Sequence, residues 1–203
     1  MRQHWHHQAS WKTISLLLVA VSLFGCTAPG GIDNTPAPVI LVVGNISQQS
    51  DPFGDVITSG GTIPEDTIQV EFTARLKNGL DNTAPVLQEI IIQRYEVTFE
   101  RTDGGVAVPA GFQRAINFRV RVTANDSQSD IITTVDLVLV PSTSKAQPPI
   151  SHLVSPGFEP DTGFINIQVT ATIRFFGQTL AGEAISATAK IGVNFANFGD
   201  TNS

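Results

Sequence analysis

Apolar and polar residues alternate with a period of two along most of the chain from Val39 onward. The segment TIQVEFTARLK is the clearest example, because every second position from Ile68 to Leu76 is apolar and the positions between are polar. Such alternation puts side chains on opposite faces of an extended strand, as in an antiparallel sheet with one buried face. Three further segments alternate in the same way: AINFRVRVTAN, FINIQVTATIRFF and AISATAKIGVNFANF. Their predicted inward-facing residues are Ile116, Phe118, Val120 and Val122; Ile165, Ile167, Val169, Ala171, Ile173 and Phe175; and Ile185, Ala187, Ala189, Ile191, Val193 and Phe195.

Three more segments complete the predicted set of strands. PVILVVG opens the domain, and DIITTVDLVLVP ends at Pro141, which lacks the N–H that a strand ladder needs. The third segment, LQEIIIQRYEVTFERT, changes phase between Ile90 and Gln93, which predicts a β-bulge or a bend. The dipeptide Asp103-Gly104 follows it and favours the positive φ angles of a type I′ hairpin turn.

Strands with frequent turn signals and without an amphipathic helix predict an all-β fold for residues 39–203. We expect a single antiparallel β-sandwich, with a closed β-barrel as the alternative, because periodicity does not separate the two. The architecture resembles immunoglobulin-like and fibronectin-III-like domains. The Cys…Trp…Cys signature of antibody domains is absent from these residues. The resemblance is therefore architectural only, and no functionally characterised family is recognised in this region.

A different pattern occupies the N-terminus. Arg2 and Lys12 precede a nearly continuous apolar run from Ile14 to Gly25, and no acidic residue occurs before Asp33. This run is shorter than the roughly 20 residues that span a bilayer, but it fits the apolar part of a secretory signal peptide, about 7–15 residues. The run ends in Leu23-Phe24-Gly25-Cys26, which resembles the lipobox of bacterial lipoproteins.

The resemblance implies a lipid anchor. Residues 1–25 would be a cleaved signal helix, and Cys26 would carry a thioether-linked diacylglycerol and an N-acyl group such as palmitate. Residues 26–38, rich in Pro, Gly and Thr, read as a flexible tether. Thr27 rather than aspartate after the cysteine indicates the outer membrane, if the source is Gram-negative. The membrane would thus be one partner, and no cofactor other than the covalent lipid is expected.

Removal of residues 1–25 would change the chemical inventory. Both tryptophans and the cluster His4, His6 and His7 precede Cys26, so His152 and Tyr95 would be the only residues of their types left. The whole chain has 12 Lys and Arg residues and 18 Asp and Glu residues. Residues 1–25 contain Arg2 and Lys12 but no acidic residue, so their removal would make the net charge of the chain more negative. Nucleic acid is excluded as an expected partner, because it requires basic patches.

Candidate chemistry is sparse. A Ser-His-Asp site could use only His152, which lies between Ser151 and Ser155 without a G-x-S-x-G motif. A catalytic zinc needs about three protein ligands, usually His, Cys or carboxylate. Without residues 1–25 the chain would keep one histidine and no cysteine other than the lipidated Cys26, so a zinc site is not expected. We therefore predict no catalytic residues and no enzyme. The remaining metal candidates are carboxylates for calcium in DPFGD and NDSQSD, neither of which has EF-hand spacing. They are Asp51, Asp55, Asp126 and Asp130.

The sequence favours a lipid-anchored, non-enzymatic envelope protein whose sandwich is a binding or structural module for another envelope protein. Edge strands of a sandwich offer backbone groups for β-augmentation. Phe112, Phe158 and Phe176 are the candidates for a partner patch, since they lie in loops or at an outward strand phase. Two alternatives remain: a carrier that holds an apolar ligand between the sheets, and a hydrolase that uses a pair of carboxylates.

Overall fold

The computed structural model describes residues 37–77, 86–123 and 129–198. Helical structure within these ranges is limited to a short helix α1 (Ser142–Lys145) and two 3-10 turns at Val86–Gln88 and Ile150–Leu153. None of these helices is long and apolar enough to cross a membrane. The strands are β1 (Val39–Gln48), β2 (Asp66–Leu76), β3 (Ile90–Arg101), β4 (Phe112–Val120), β5 (Val122–Thr123), β6 (Thr133–Val140), β7 (Asn166–Thr179) and β8 (Ala184–Ala196).

The strands form two packed sheets. One is antiparallel with the order β4-β3-β7-β8. In the other, β2 pairs antiparallel with β1 and with β6, and a short parallel pairing joins β2 to β5. The described strands do not close into a barrel. The predicted all-β sandwich is therefore confirmed, and the barrel alternative is wrong.

The core lies between the inner faces of the sheets. On β2, alternate residues from Ile68 to Ala74 are buried, as the period-two pattern predicts. The ring of Phe72 on β2 packs edge-on against Phe175 on β7, with centroids 4.8 Å apart, and so joins the two sheets. The space between the sheets is thus filled by side chains at this level.

The predicted bulge in β3 is confirmed, because the register shifts between Ile92 and Arg94 against both neighbouring strands. Two other predictions are wrong. Ile165 was expected to face inward, but it is 75% exposed, since β7 begins one residue later. The segment AINFRVRVTAN is not one strand, because the chain passes at Arg121 from β4 in one sheet to β5 in the other.

Strands β3 and β4 do pair antiparallel on either side of Asp103-Gly104, but the predicted two-residue type I′ turn is wrong. Residues 102–111 form a longer connection between β3 and β4. Gly104 does adopt a positive φ of 87°. However, the Asp103 carboxylate turns inward and accepts hydrogen bonds from Arg101 and from two backbone N–H groups, so its contacts rather than a two-residue turn fix the loop.

Strand register defines two ends of the sandwich. Val39 at the start of β1 pairs with Leu76 at the end of β2, and we call this the Val39 end. At the opposite end β3 and β8 finish and β2 and β7 begin; we call it the loop end. The backbone around Asp55, in the loop after β1, bridges to Ala196 at the end of β8 and closes one side of the loop end.

Candidate functional site

A buried lysine sits at the loop end, and we call Lys145, Asp66 and Asp55 the lysine cluster. Helix α1 follows β6 directly and places Lys145 inside the fold, where its side chain and that of Asp66 are both fully buried. Lys145 Nζ donates to Asp66 Oδ1 at 2.8 Å and to the backbone carbonyl oxygen of Asp55 at 2.6 Å. Burying two charged groups is costly unless every polar atom finds a partner.

The carboxyl groups of this cluster do not meet that condition. Asp66 Oδ1 also accepts the Gly54 N–H at 3.1 Å, and Asp55 Oδ1 accepts the Phe198 N–H at 3.4 Å. The second oxygen of each carboxyl group, Oδ2, is buried without a hydrogen-bond partner among the described residues. A buried carboxylate oxygen without a partner is strongly disfavoured, so the geometry around Asp66 favours a protonated, neutral acid at that residue.

The electrostatics of Asp66 agree with this geometry. Burial raises the pKa of Asp66 above its ordinary value, the charge of Asp55 adds to the rise, and the hydrogen bonds and positive charge of Lys145 only partly oppose it. Gly54 contributes through its φ of 84°. Any Cβ there would collide with the Asn194 carbonyl, so glycine allows the loop to bring its N–H to Asp66.

A second buried group, the arginine cluster of Arg101, Asp103 and Glu159, lies at the same end. All three side chains are at most 5% exposed. Arg101 Nε donates to Asp103 Oδ1 at 2.6 Å, and its Nη2 donates to Glu159 Oε2 at 3.3 Å. The remaining guanidinium nitrogen, Nη1, donates to the Ala107 carbonyl oxygen at 2.8 Å. The guanidinium therefore links β3 to two loops.

Every carboxylate oxygen in the arginine cluster has a partner. Asp103 Oδ2 accepts the Gln168 N–H at 2.8 Å, while Glu159 Oε1 accepts the Asp161 N–H and its Oε2 accepts from Thr162. Burial alone would raise the pKa of Asp103 and of Glu159, but these hydrogen bonds and those from Arg101 outweigh it and lower both pKa values. Both groups are ionised at neutral pH, and their role is structural.

The arginine cluster supports an exposed apolar surface. Asp161 Oδ2 accepts the N–H groups of Val106 and Ala107, which joins the loop of residues 102–111 to that of residues 159–165. On these loops Val106 is 85% exposed, Phe164 51% and Ile165 75%. We call these three residues the loop-end patch. The three side chains stand on two loops that Asp161 joins, and exposed apolar surface of this kind commonly marks interaction sites.

The three phenylalanines singled out from the sequence occupy different surroundings. Phe176 lies on the outer face of its sheet between two arginines, with Arg94 Cζ 4.1 Å from the ring centroid. Phe112 lies on the inner face, with its ring 5.9 Å from that of Tyr95. Phe158 is 43% exposed in the loop that precedes β7. The structure therefore does not bring Phe112 and Phe176 onto a common face.

The calcium candidates are also separated by their contacts. Arg75 holds Asp130 through two hydrogen bonds of 2.7 Å, and Asp55 belongs to the lysine cluster. Asp51 is exposed, and Asp126 lies outside the described residues. Across residues 37–77, 86–123 and 129–198, no group of three or more His, Cys, Asp or Glu residues could hold a metal ion.

His152 and Cys26 are the remaining residues that the sequence analysis singled out. His152 lies in the 3-10 turn Ile150–Leu153 of the loop end, and its Nδ1 is buried without a partner in the described part of the chain. Cys26 and the rest of the lipobox lie outside the described residues.

Sequence reasoning missed both buried clusters. Lys145 stands in the polar stretch PSTSKAQPP, which reads as an exposed loop, and its partner Asp66 lies on a distant strand. No family model matches the chain, and neither a curated protein nor a solved structure is significantly similar to it. The candidate function therefore depends on the sequence pattern and the geometry alone.

Proposed function

We propose that this protein is a lipid-anchored, non-enzymatic module of the bacterial cell envelope that binds another envelope protein through its loop end. The observation that carries the proposal is the separation between the start of β1 and the loop-end patch, which lie at opposite ends of the sandwich. A chain attached to a membrane through Cys26 and residues 27–38 would lead into Val39, at the end far from the patch.

The dimensions support this orientation. Strand β1 has 10 residues and runs from the Val39 end toward the loop end. At about 3.3 Å per residue, such a strand is roughly 30 Å long. The loop-end patch is thus held about one domain length away from the attachment point, and the tether adds to the reach.

The chemistry of the loop end fits protein recognition. The patch offers Val106, Phe164 and Ile165 to solvent. Asp161 and the arginine cluster hold the backbone of the two loops that carry them. A surface that is already ordered loses little conformational entropy when a partner binds, which strengthens binding. Apolar side chains surrounded by polar loops match the usual anatomy of an interface core and rim.

The anchor is tested by expressing the full-length chain and a Cys26→Ser variant in a Gram-negative host. We expect the unaltered chain to lose residues 1–25, to gain mass from acyl chains, and to sediment with outer membranes. The variant should keep its leader and lose the lipid. An unmodified cysteine in a freely soluble product would contradict the anchor.

The loop end is tested separately by photo-cross-linking in the same host. A photoreactive amino acid replaces Val106 in one sample and Leu87 in a matched control, because Leu87 is 62% exposed near the Val39 end. We expect a discrete adduct with an envelope protein from position 106 and none from position 87. Equal labelling at both positions, or no adduct at position 106, would contradict recognition by the loop end.

A further inference from the structure

The lysine cluster has the composition and geometry of a condensation site. We propose that Lys145 Nζ and Asp66 Cγ form an intramolecular isopeptide bond, which makes a covalent cross-link between α1 and the start of β2. The proposal starts from the fully buried Lys145–Asp66 pair and from the carboxyl oxygen of Asp66 that has no partner among the described residues. It does not depend on the proposed function.

The reacting atoms are already adjacent. Lys145 Nζ lies 2.8 Å from Asp66 Oδ1, and Cγ is one carbon–oxygen bond away from that oxygen. Reaction between groups held at about 3–3.5 Å gains a large effective concentration over the same reaction in solution. The Asp55 carbonyl, 2.6 Å from Nζ, and the Gly54 N–H, 3.1 Å from Oδ1, hold the amine and the acid in place.

Condensation needs a neutral amine and a protonated acid. Transfer of one proton from the Lys145 ammonium to the Asp66 carboxylate produces that pair, and a low-dielectric site favours neutral forms over charged ones. Burial also raises the pKa of Asp66, which acts in the same direction. The surroundings of Asp66 thus favour the protonated acid that the reaction requires.

The reaction balances without an oxidant or a reductant. The nitrogen lone pair of Lys145 attacks Asp66 Cγ and forms the Nζ–Cγ bond. One amine proton then passes to the departing Oδ2 hydroxyl, the Cγ–Oδ2 bond breaks, and one water molecule leaves. We assign the relay of this proton to the Asp55 carboxyl group, which is 1% exposed and whose charge acts on Asp66.

The product would remove one of the two carboxyl oxygens of the lysine cluster that lack a partner among the described residues. Loss of Oδ2 as water removes the buried oxygen of Asp66 that lacks a partner. Oδ1 becomes the amide carbonyl oxygen and still accepts the Gly54 N–H, while the remaining hydrogen on Nζ still points to the Asp55 carbonyl. Every polar atom of the new amide would then have a partner.

The test is the intact mass of the denatured full-length chain, expressed as the Cys26→Ser form so that lipid does not add to the mass. We expect a mass lower than the sequence value by one water molecule. Proteolysis should release a branched peptide that joins the segment containing Lys145 to the segment containing Asp66. A mass equal to the sequence value in a folded sample would overturn the proposal.

Matched variants separate the cross-link from other losses of water. Lys145→Met and Asp66→Ala should each show the full sequence mass, whereas Lys190→Met, which removes an exposed lysine on β8, should keep the deficit. A succinimide would give the same deficit but leave the Lys145 peptide unbranched, and that result would also overturn the proposal. The mass of the chain with Lys145 and Asp66 intact decides the test. A variant that fails to fold therefore does not affect the conclusion.

The role of Asp55 has its own measurement. In pulse-labelled synthesis, the cross-linked fraction of Asp55→Asn should rise more slowly than that of the unaltered chain, by roughly 10²–10⁴-fold as for other proton-transfer groups. Circular dichroism on the same samples reports whether the variant is folded. Cross-linking at the unaltered rate in folded Asp55→Asn would overturn the assignment of the relay.

Discussion

The two buried ionic clusters lie at the same end of one sandwich and differ in how their oxygens are satisfied. In the arginine cluster every carboxylate oxygen accepts at least one hydrogen bond, and the pKa values of Asp103 and Glu159 are lowered. In the lysine cluster one oxygen of each carboxyl group is bare among the described residues, and the pKa of Asp66 is raised.

Burial of a charged group therefore does not by itself indicate its role. Arg101 presents a planar guanidinium with several donors, which can satisfy two carboxylates at once. Lys145 has a single side-chain nitrogen, and it donates one of its hydrogen bonds to the backbone carbonyl oxygen of Asp55. The first arrangement stabilises ionised carboxylates, whereas the second leaves Asp66 with a raised pKa and one oxygen without a partner among the described residues.

The largest expected effect is from Arg101→Met. Removing the guanidinium leaves Asp103 and Glu159 buried without their cation, so we expect a loss of about 3–5 kcal/mol in the free energy of unfolding. Urea denaturation monitored by circular dichroism measures it. A loss below about 1 kcal/mol would mean that the backbone hydrogen bonds alone hold the two carboxylates, and the comparison would fail.

The second prediction concerns the opposite pH dependence of the clusters. The lowered pKa values of Asp103 and Glu159 give stability that is present above their ordinary values and is lost as the pH falls through the folded ones. The raised pKa of Asp66 gives stability that is complete below its ordinary value and is lost as the pH rises through the folded one. A cross-linked Asp66 no longer titrates.

The Lys145→Met variant makes the titration of Asp66 measurable, because it cannot form the cross-link. It also removes the positive charge that opposes the raised pKa of Asp66. We expect Lys145→Met to lose about 1 kcal/mol or more between pH 4.5 and pH 7 relative to Lys145→Met/Asp66→Leu, since one pKa unit corresponds to about 1.36 kcal/mol. Urea midpoints at both pH values provide the comparison. Parallel pH profiles of the two variants would show that Asp66 is ionised in both conditions.

The smallest expected effect is from Arg75→Met. Arg75 and Asp130 form an ideal two-bond pair, but their side chains are 60% and 30% exposed. Exposed ion pairs contribute about 0–1 kcal/mol, so urea denaturation should barely distinguish this variant from the unaltered chain. A loss as large as that of Arg101→Met would show that geometry rather than burial sets the energy of ion pairs in this fold.

Much of the fold could be predicted from the sequence because the core is periodic. Alternation fixed the inward residues of β2, and the change of phase near Gln93 located the bulge in β3. The change of sheet at Arg121 could not be predicted in this way, because Val120 and Val122 are both buried and keep the same period across the crossover. Periodicity reports which side is buried, not which sheet covers it.

The candidate site was hidden for a different reason. A lysine in PSTSKAQPP is expected at the surface, and burial of Lys145 requires Asp66 and the loop around Gly54, which only the tertiary fold supplies. Asp103 likewise carries the usual signal of a turn, yet it is drawn inward by Arg101. Distant residues complete both clusters, since Asp66 pairs with Lys145 and the Gln168 N–H donates to Asp103. Local sequence does not encode these contacts.

The antiparallel pairing of β1 with β2 has a mechanical consequence. A pull between the start of β1 and a partner held at the loop end would act along the strand axis. The ladder from Val39–Leu76 to Gln48–Ile68 lies across that direction, so its hydrogen bonds would be loaded together in shear rather than opened one by one. A module attached in this way would resist stretching along its length far better than peeling from its side.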